Sequence, residues 1–414
     1  MRNLASIVTI EKIWPLEGKD RVVGASFVEN GYEAMVGKDI QPEQTVAFIQ
    51  EGALLPVCDT WEWLRKRCYK ESVNAFLIKP QKFGCIKSWG LVVPLPELGL
   101  PEKVYSKFKA GDDITDLLGI KKYEPEEDAS PIKSDNTKYP KWVKFCLSHT
   151  ITRWLGRIWQ KKHQSHSGGF PTDLITKSDE TAIQNMKSAL EKYADDYVYV
   201  TAKMEGQSFT TAFEWDGKKP GKFYVCSRNN AYKCPDNSIF WTVAKRLDIE
   251  KKLRDWYKEK GQLLVIQGEQ VGPSIQENIY DFAENEWYVF KIRDIIEDRQ
   301  LSIEEMIDVC GELGLKRVPL IIKHRKLREI MPDLDAAVAY AENVFWTPDN
   351  LLYTPKDGEK LWVDYFQHEG VVVRSVTYDK ENNIGVSFKV KNIAYAEKGL
   401  DKIHQACVAR KNRK

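Results

Sequence analysis

Several short stretches of this 414-residue chain carry side chains that could act together. Lys203 closes a β-branched, aromatic run, Tyr197-Val198-Tyr199-Val200-Thr201, and is followed by Met204-Glu205-Gly206. Its amine could be a nucleophile only as the free base. A reference pKa near 10.4 keeps it protonated at neutral pH, so burial or nearby cations would have to lower it. Near the C-terminus lies Ser387-Phe388-Lys389-Val390-Lys391-Asn392. Alternate residues of a strand share a face, so Lys389 and Lys391 point the same way, either into solvent or at a common anion. If that face meets Lys203, the pair would favour a neutral amine there and neutralise a phosphate. Between these two stretches come Ser227-Arg228-Asn229, Gly268-Glu269-Gln270-Val271-Gly272, Trp287-Tyr288-Val289-Phe290-Lys291 and Glu369-Gly370-Val371-Val372-Val373-Arg374. Arg228 offers a planar fork of donors suited to paired oxygens. Salt bridging is the plainest role for Glu205, Glu269 and Glu369.

Other chemistries are excluded. No Gly-x-x-x-x-Gly-Lys-Ser/Thr element is present, so a nucleotide would not be held by a P-loop. The 8 cysteines form no Cys-x-x-Cys pair, and nothing near Cys226 and Cys234 completes a zinc site. The 6 histidines show no triad-like or metal-like grouping; His163 and His166 fall in a polar stretch.

The elements that must position these groups fall into two strand-rich regions. From Leu4 to about Leu95 short β-branched runs (7–10, 21–28, 32–36, 45–49 and 90–93) alternate with turn signals such as Asn30-Gly31. Such a series suggests a small closed β-structure, an OB-fold barrel being one candidate. From 124 to 136 the chain is polar and charged and reads as a linker. Residues 139–162 then carry apolar side chains at helical spacing together with Lys, Arg, Trp142, Trp154 and Trp159. That segment is either a packed linker helix or a basic aromatic surface for nucleic acid. After Phe170-Pro171 a helix is expected over 179–193, then strands at 197–201, 209–213, 222–226, 263–267, 287–292, 370–376 and 384–390, interrupted by a helical and mixed segment at 302–342. Strands among helices without strict alternation predict an α+β domain with mostly antiparallel sheets.

Taken in order, the Lys203, Arg228, Glu269, Phe290, Glu369 and Lys389/Lys391 stretches resemble the lysine-dependent nucleotidyltransferases, the superfamily of polynucleotide ligases and capping enzymes. The finer match is to RNA ligases. Phe170-Pro171, Lys177-Ser178-Asp179-Glu180 and Gly268-Glu269 through Gly272-Pro273-Ser274-Ile275-Gln276-Glu277-Asn278 resemble that group. Lys82-Phe83-Gly84 and Ser88-Trp89-Gly90-Leu91 resemble the OB domain that precedes the catalytic domain in one subgroup, which seals 3′-hydroxyl and 5′-phosphate ends.

The resemblance implies a domain plan: an OB-fold nucleic-acid-binding domain at 1–120, a linker at 121–168 and an antiparallel-sheet nucleotidyltransferase domain at 169–414. It implies an ATP-dependent RNA ligase that forms a lysine-AMP adduct on Lys203, passes AMP to a 5′-end and seals it, in RNA repair. Lys203, Lys389 and Lys391 would be catalytic. Gly206, Arg228, Glu269, Phe290 and Glu369 would join them in holding ATP, with Phe290 either stacking on adenine or serving as ordinary core. Glu205, Glu269 and Glu369 would hold Mg2+ or Mn2+, because phosphoryl transfer depends on charge placed around a divalent cation. Gly206 and Gly268 would let backbone approach the nucleotide. The partner would be RNA or an RNA-containing nicked duplex, the barrel supplying a groove that self-adenylylation does not need.

Two positions depart from the family pattern: Glu205 stands where Asp is usual, and Ala202 where many RNA ligases place Glu before the lysine. A DNA ligase, a guanylyl-transferring capping enzyme and a non-catalytic OB-type binding protein remain the alternatives. With a net charge of +2, no apolar run of the roughly 20 residues a membrane helix needs, and no signal-like start, the expectation is a cytoplasmic monomer without a membrane partner.

Overall fold

The computed structural model describes residues 3–123, 167–346, 352–353 and 366–395, apart from 216–220, 233–237 and the single positions 17, 84, 85, 187, 277, 281, 368, 381, 383 and 394. The segment at 139–162 expected to be helical lies outside the described residues, as does the basic tail at 409–414.

The five β-branched runs near the N-terminus form one antiparallel sheet. Its strand order is Gly90–Pro94, Thr45–Gln50, Ala5–Pro15, Val22–Phe27, Glu33–Gly37. The sheet curls until its two edges meet. The Trp89 N–H donates to the Glu33 carbonyl at 2.9 Å, and the Met35 N–H to Ser88 Oγ at 3.1 Å. The result is a nearly closed five-stranded barrel. Between its fourth and fifth strands the chain inserts Ala53–Leu55, Tyr69–Lys70 and Ala75–Leu77. With Lys121–Lys122 from beyond the fifth strand they form a small sheet in the order Lys121–Lys122, Ala53–Leu55, Ala75–Leu77, Tyr69–Lys70.

The C-terminal part has two main, mostly antiparallel sheets, a larger and a smaller, and, among the described residues, a short three-stranded one. The larger contains Gln207–Glu214, Lys222–Cys226, Leu264–Val271 and Glu286–Asp294. Helices Ile239–Arg246, Ile249–Lys260 and Ile303–Leu313 bury their apolar stripes against it around Trp256, Ile266 and Met306. The first two helices had no counterpart in the reading of the sequence, although Ser238 caps one and Gly261 ends the other. The smaller sheet has the order Leu320–Lys326, Tyr197–Lys203, Gly370–Ser375, Ser387–Lys391.

The helix expected over 179–193 is reduced to a 3-10 turn, Ile183–Met186, and one short helix, Ala189–Lys192. Its first two residues are drawn out of helical pairing because the side chains of Asp179 and Glu180 are taken up by distant cations, described below.

One hydrophobic core runs through both halves. Val8, Phe27 and Phe48 of the barrel share a cluster with Ile183, Val198, Val371 and Phe388. Gln50 Nε2 donates to Asn185 Oδ1 at 3.1 Å across the same boundary, and the Gly31 N–H to the Gln184 carbonyl at 2.8 Å. The barrel is therefore packed into the C-terminal half, which argues against removing it without disturbing that half. Among the described residues, no helix is long and apolar enough to cross a membrane.

Candidate active site

Lys203 sits at the end of a central strand, flanked on both sides, whose β-branched residues are buried on both faces. Register places it opposite Gly370, which is in turn opposite Lys391; two residues earlier, Thr201, Val372 and Lys389 form a parallel row. The amine is thus on the same sheet as the lysine pair, with a glycine between it and Lys391. Gly370 has φ +147°, and a Cβ there would lie 2.1 Å from the Val390 carbonyl oxygen, so another side chain would spread the two strands.

These residues open onto a cavity of about 670 Å³ between the two sheets. Lys203, Gly206, Arg228, Glu269, Phe290, Glu369, Lys389 and Lys391 all line it, as does Ala202. Glu205 does not; it is buried behind the wall, where its backbone N–H donates to Tyr280 Oη at 2.8 Å. Gly206 and Gly268 are required for a reason other than the one expected. A Cβ on Gly206 would meet the Gln270 carbonyl at 2.4 Å, and one on Gly268 the Trp287 indole nitrogen at 2.4 Å. Neighbouring protein, rather than an approaching nucleotide, excludes side chains at both.

Charges in the pocket are paired. Lys203 Nζ contacts Glu369 directly. Burial favours its neutral amine, but Glu369, and behind it Glu269 and Glu205, outweigh that and hold the ammonium above the usual lysine range. This is the reverse of the expectation that Lys389 and Lys391 keep Lys203 neutral, and the cause is where those lysines go. Lys389, only 8% exposed, reaches Asp179 at 3.4 Å. Lys391 is held at 2.5 Å by Glu51, a barrel residue 340 positions away. Asp179 also takes Arg228 at 2.9 Å and Lys122 at 3.2 Å. Burial works against its ionised form, yet Lys389, Lys122 and Arg228 together hold its carboxyl well below the usual range. Three cations thus converge on one carboxylate at the cavity wall, an arrangement suited to a phosphate chain.

In the cavity lining, Arg374 donates to Glu180 Oε1 from Nε at 3.1 Å and from Nη2 at 2.7 Å, and to the Phe290 carbonyl at 3.0 Å. Ser387 Oγ donates to the same carboxylate. Phe290 is half-buried, with part of its ring packed against the cluster of Met204 and Tyr288 and the rest facing the cavity.

Among the described residues, no three His, Cys, Asp or Glu side chains form a ready-made metal cluster. Glu369, Glu269 and Glu205 nonetheless all act on one lysine. That surplus of carboxylate charge fits a hard divalent cation completed by water and phosphate oxygens.

Glu51, Lys122, Tyr123, Tyr280 and Arg374 received no role from the sequence. Asp179 and Glu180 were noted only as part of a lead-in stretch. The single local hint was that Asp179-Glu180 and Arg374 sit inside or beside motif stretches.

A lysine ending a strand beside this cavity, faced by carboxylates and a lysine pair, is an arrangement that could hold and attack a nucleotide phosphate. Residues 196–391, from just before the strand of Lys203 to Lys391 itself, match the family model described as RNA ligase. Structures of Naegleria gruberi RNA ligase share the fold over nearly the full length. A mutant with ATP and Mn is 21% identical, with TM-score 0.69 and 98% of each chain covered. The form with PPi is 21% identical, with TM-score 0.70 over 97% of this chain and 100% of that one. A lysine mutant with AMP and Mn is 22% identical, with TM-score 0.70 over the same shares. No curated protein sequence matches the chain.

Proposed function

We propose that this protein is an ATP-dependent RNA ligase that joins 3′-hydroxyl and 5′-phosphate ends through a lysine-AMP intermediate on Lys203. The observation that carries the reading is the row Lys203–Gly370–Lys391, with Glu369 on the amine and Lys389 beside it. The match of 196–391 to RNA ligases and the Naegleria structures with ATP, AMP and PPi, the reagent and products of such a first step, support it.

With Glu369 against its amine Lys203 is held as an ammonium, so it must first release a proton to Glu369 or solvent. The free amine then attacks the α-phosphorus of ATP; the N–P bond forms as the bond to the β-phosphate oxygen breaks, and pyrophosphate leaves. Lys389, Arg228 and Lys122 can exchange Asp179 for the departing phosphates, which keeps their charge where negative charge accumulates. Glu369 and Glu269, which line the cavity, would hold a divalent cation, which would offset the carboxylate charge favouring protonated Lys203 and polarise phosphate oxygens. Glu205, behind the wall, contributes charge rather than the ligand expected of it. The 5′-phosphate of the substrate next displaces Lys203 from AMP, and a 3′-hydroxyl attacks that 5′-phosphorus and expels AMP.

Ala202 supplies no carboxylate to the adenine amino group, so the choice between ATP and GTP is the step at which a capping enzyme would part from this reading. The domain plan of 1–120, 121–168 and 169–414, the repair role, the cytoplasmic setting and the monomeric state belong to the same proposal. Incubation with α-labelled ATP and a divalent cation should leave label on denatured protein, and Lys203→Ala should abolish it without altering the circular dichroism. Label from GTP alone, or undiminished label on Lys203→Ala, would reject the assignment.

A further inference from the structure

The sheet inserted into the barrel touches the catalytic pocket at one end and carries a basic aromatic surface at the other. Tyr123, which lines the pocket, is bonded to Gly52 through its N–H and so joins the small sheet at its Lys121–Lys122 edge. Lys70, on the opposite edge of the small sheet, reaches across to donate to Tyr123 Oη at 2.7 Å, with its ammonium 4.7 Å from the ring centre. The pocket rim is thus continuous with the strand Tyr69–Lys70. Immediately before it, Arg65 lies 4.5 Å over the Tyr69 ring, and Lys66 and Arg67 are exposed. From Arg65 to Lys70 the chain holds four cations and no acid; Glu62 offsets only Arg65.

Residues Arg65–Cys68 form a short helix that follows a 3-10 turn, Asp59–Leu64, holding two tryptophans in opposite settings. Trp61 is buried with Leu64 and anchors the turn in the core. Trp63, held by the same turn, is 63% exposed, the highest among the exposed large hydrophobic residues of the described chain. An apolar ring kept rigidly in water beside a row of cations matches what a single nucleic-acid strand binds: bases stack on the ring and phosphates meet the cations. Protection of the barrel alone would require neither the exposed indole nor the link through Lys70 to the pocket.

We propose that the RNA strand leaving the reaction centre runs from Tyr123 past Lys70 and over Lys66, Arg67 and Trp63 of the insertion. This rests on the reading of the pocket as an RNA-sealing site and names the path of its substrate. The path lies outside the groups that bind ATP, so it acts on the steps that involve RNA and leaves formation of the lysine-AMP adduct alone.

The test compares wild type with Lys66→Ala/Arg67→Ala, Trp63→Ala and Trp63→Phe. Each is assayed for self-adenylylation, for affinity toward a fluorescent 5′-phosphorylated single-stranded RNA across a salt series, and for sealing of that RNA. The double variant should adenylylate normally and bind RNA about tenfold more weakly, and its slope of log affinity against log salt should be shallower by roughly 1.4, from two phosphate contacts at about 0.7 each. Trp63→Ala should lose roughly fivefold or more in affinity with its salt slope kept, and Trp63→Phe should recover most of it, because stacking needs a ring. Unchanged affinity and slope in the double variant, or equal losses in Trp63→Ala and Trp63→Phe, would overturn the path. If wild type takes no label from ATP, the ligase reading fails separately, while the RNA-binding comparisons still decide whether this surface binds RNA.

Discussion

The pair Arg374–Glu180 gives the sharpest test of how the pocket floor is held. The Arg374 side chain is 3% exposed and that of Glu180 17%, and the two share two N–H···O bonds while a third ties Arg374 to the backbone of Phe290. Arg374→Met removes the cation but keeps most of the volume, leaving a carboxylate under an apolar wall. Removing one partner of a buried pair costs about 3–5 kcal/mol. For a domain of this size that corresponds to a fall in Tm of roughly 6–20 °C. The double variant Glu180→Leu/Arg374→Met removes both charges and should recover most of the loss.

The pH dependence follows from the direction of the Glu180 shift. Burial opposes ionisation, but Arg374 and Ser387 outweigh it and hold the carboxyl below its usual value. A depressed carboxyl stabilises the fold above its unfolded pKa, near 4.3, and that contribution is lost as pH falls through the folded value. Without Arg374 the same carboxyl is easier to protonate, so the gap between wild type and Arg374→Met should narrow as pH drops below about 4.5. Thermal melts of the four proteins of the cycle at neutral pH and at pH near 4 measure this. An Arg374→Met protein within about 1 kcal/mol of wild type, or a double variant as damaged as the single one, would refute the argument.

Three further outcomes are expected. Gly370→Ala puts a Cβ against the Val390 carbonyl at a backbone angle suited to glycine; it should destabilise the protein by at least ~1–3 kcal/mol in urea titrations and impair labelling by ATP. Tyr280→Phe withdraws the acceptor of the Glu205 N–H, at a cost of about 1–3 kcal/mol for a buried donor, and should slow self-adenylylation more than it weakens nucleotide binding. Asp179→Ala removes the carboxylate that Lys122, Arg228 and Lys389 now share, so pyrophosphate titrated without metal should bind ~3-fold or more tightly by calorimetry, from the relief of competition among like-charged ligands.

The sequence by itself determined the elements with strong local signals. The five barrel strands and the strands carrying Lys203 and Phe290 stand close to where β-branched runs placed them. The strand expected at 263–267 runs on through Glu269 to Val271, and the one expected at 384–390 is Ser387–Lys391, because local patterning marks a strand better than its ends. The two lysines of Lys389-Val390-Lys391 share a face because alternate residues of a strand do. The motif residues also proved to be neighbours, except that Glu205 lies behind the pocket wall. Tertiary structure alone decided which charges meet. Helical spacing at 179–193 gave way because Asp179 is claimed by Lys122, Arg228 and Lys389, and Glu180 by Arg374, none of them local. The resting charge of Lys203 followed from Glu369, with Glu269 and Glu205 behind it, outweighing burial, while Glu51 and Asp179 occupy the two lysines expected to neutralise it. Glu51 carries no mark of that role in its own surroundings in the chain, since its partner is 340 residues away. An ion pair of this kind depends on distance and burial, and those exist only once the barrel and the smaller sheet have closed over one core.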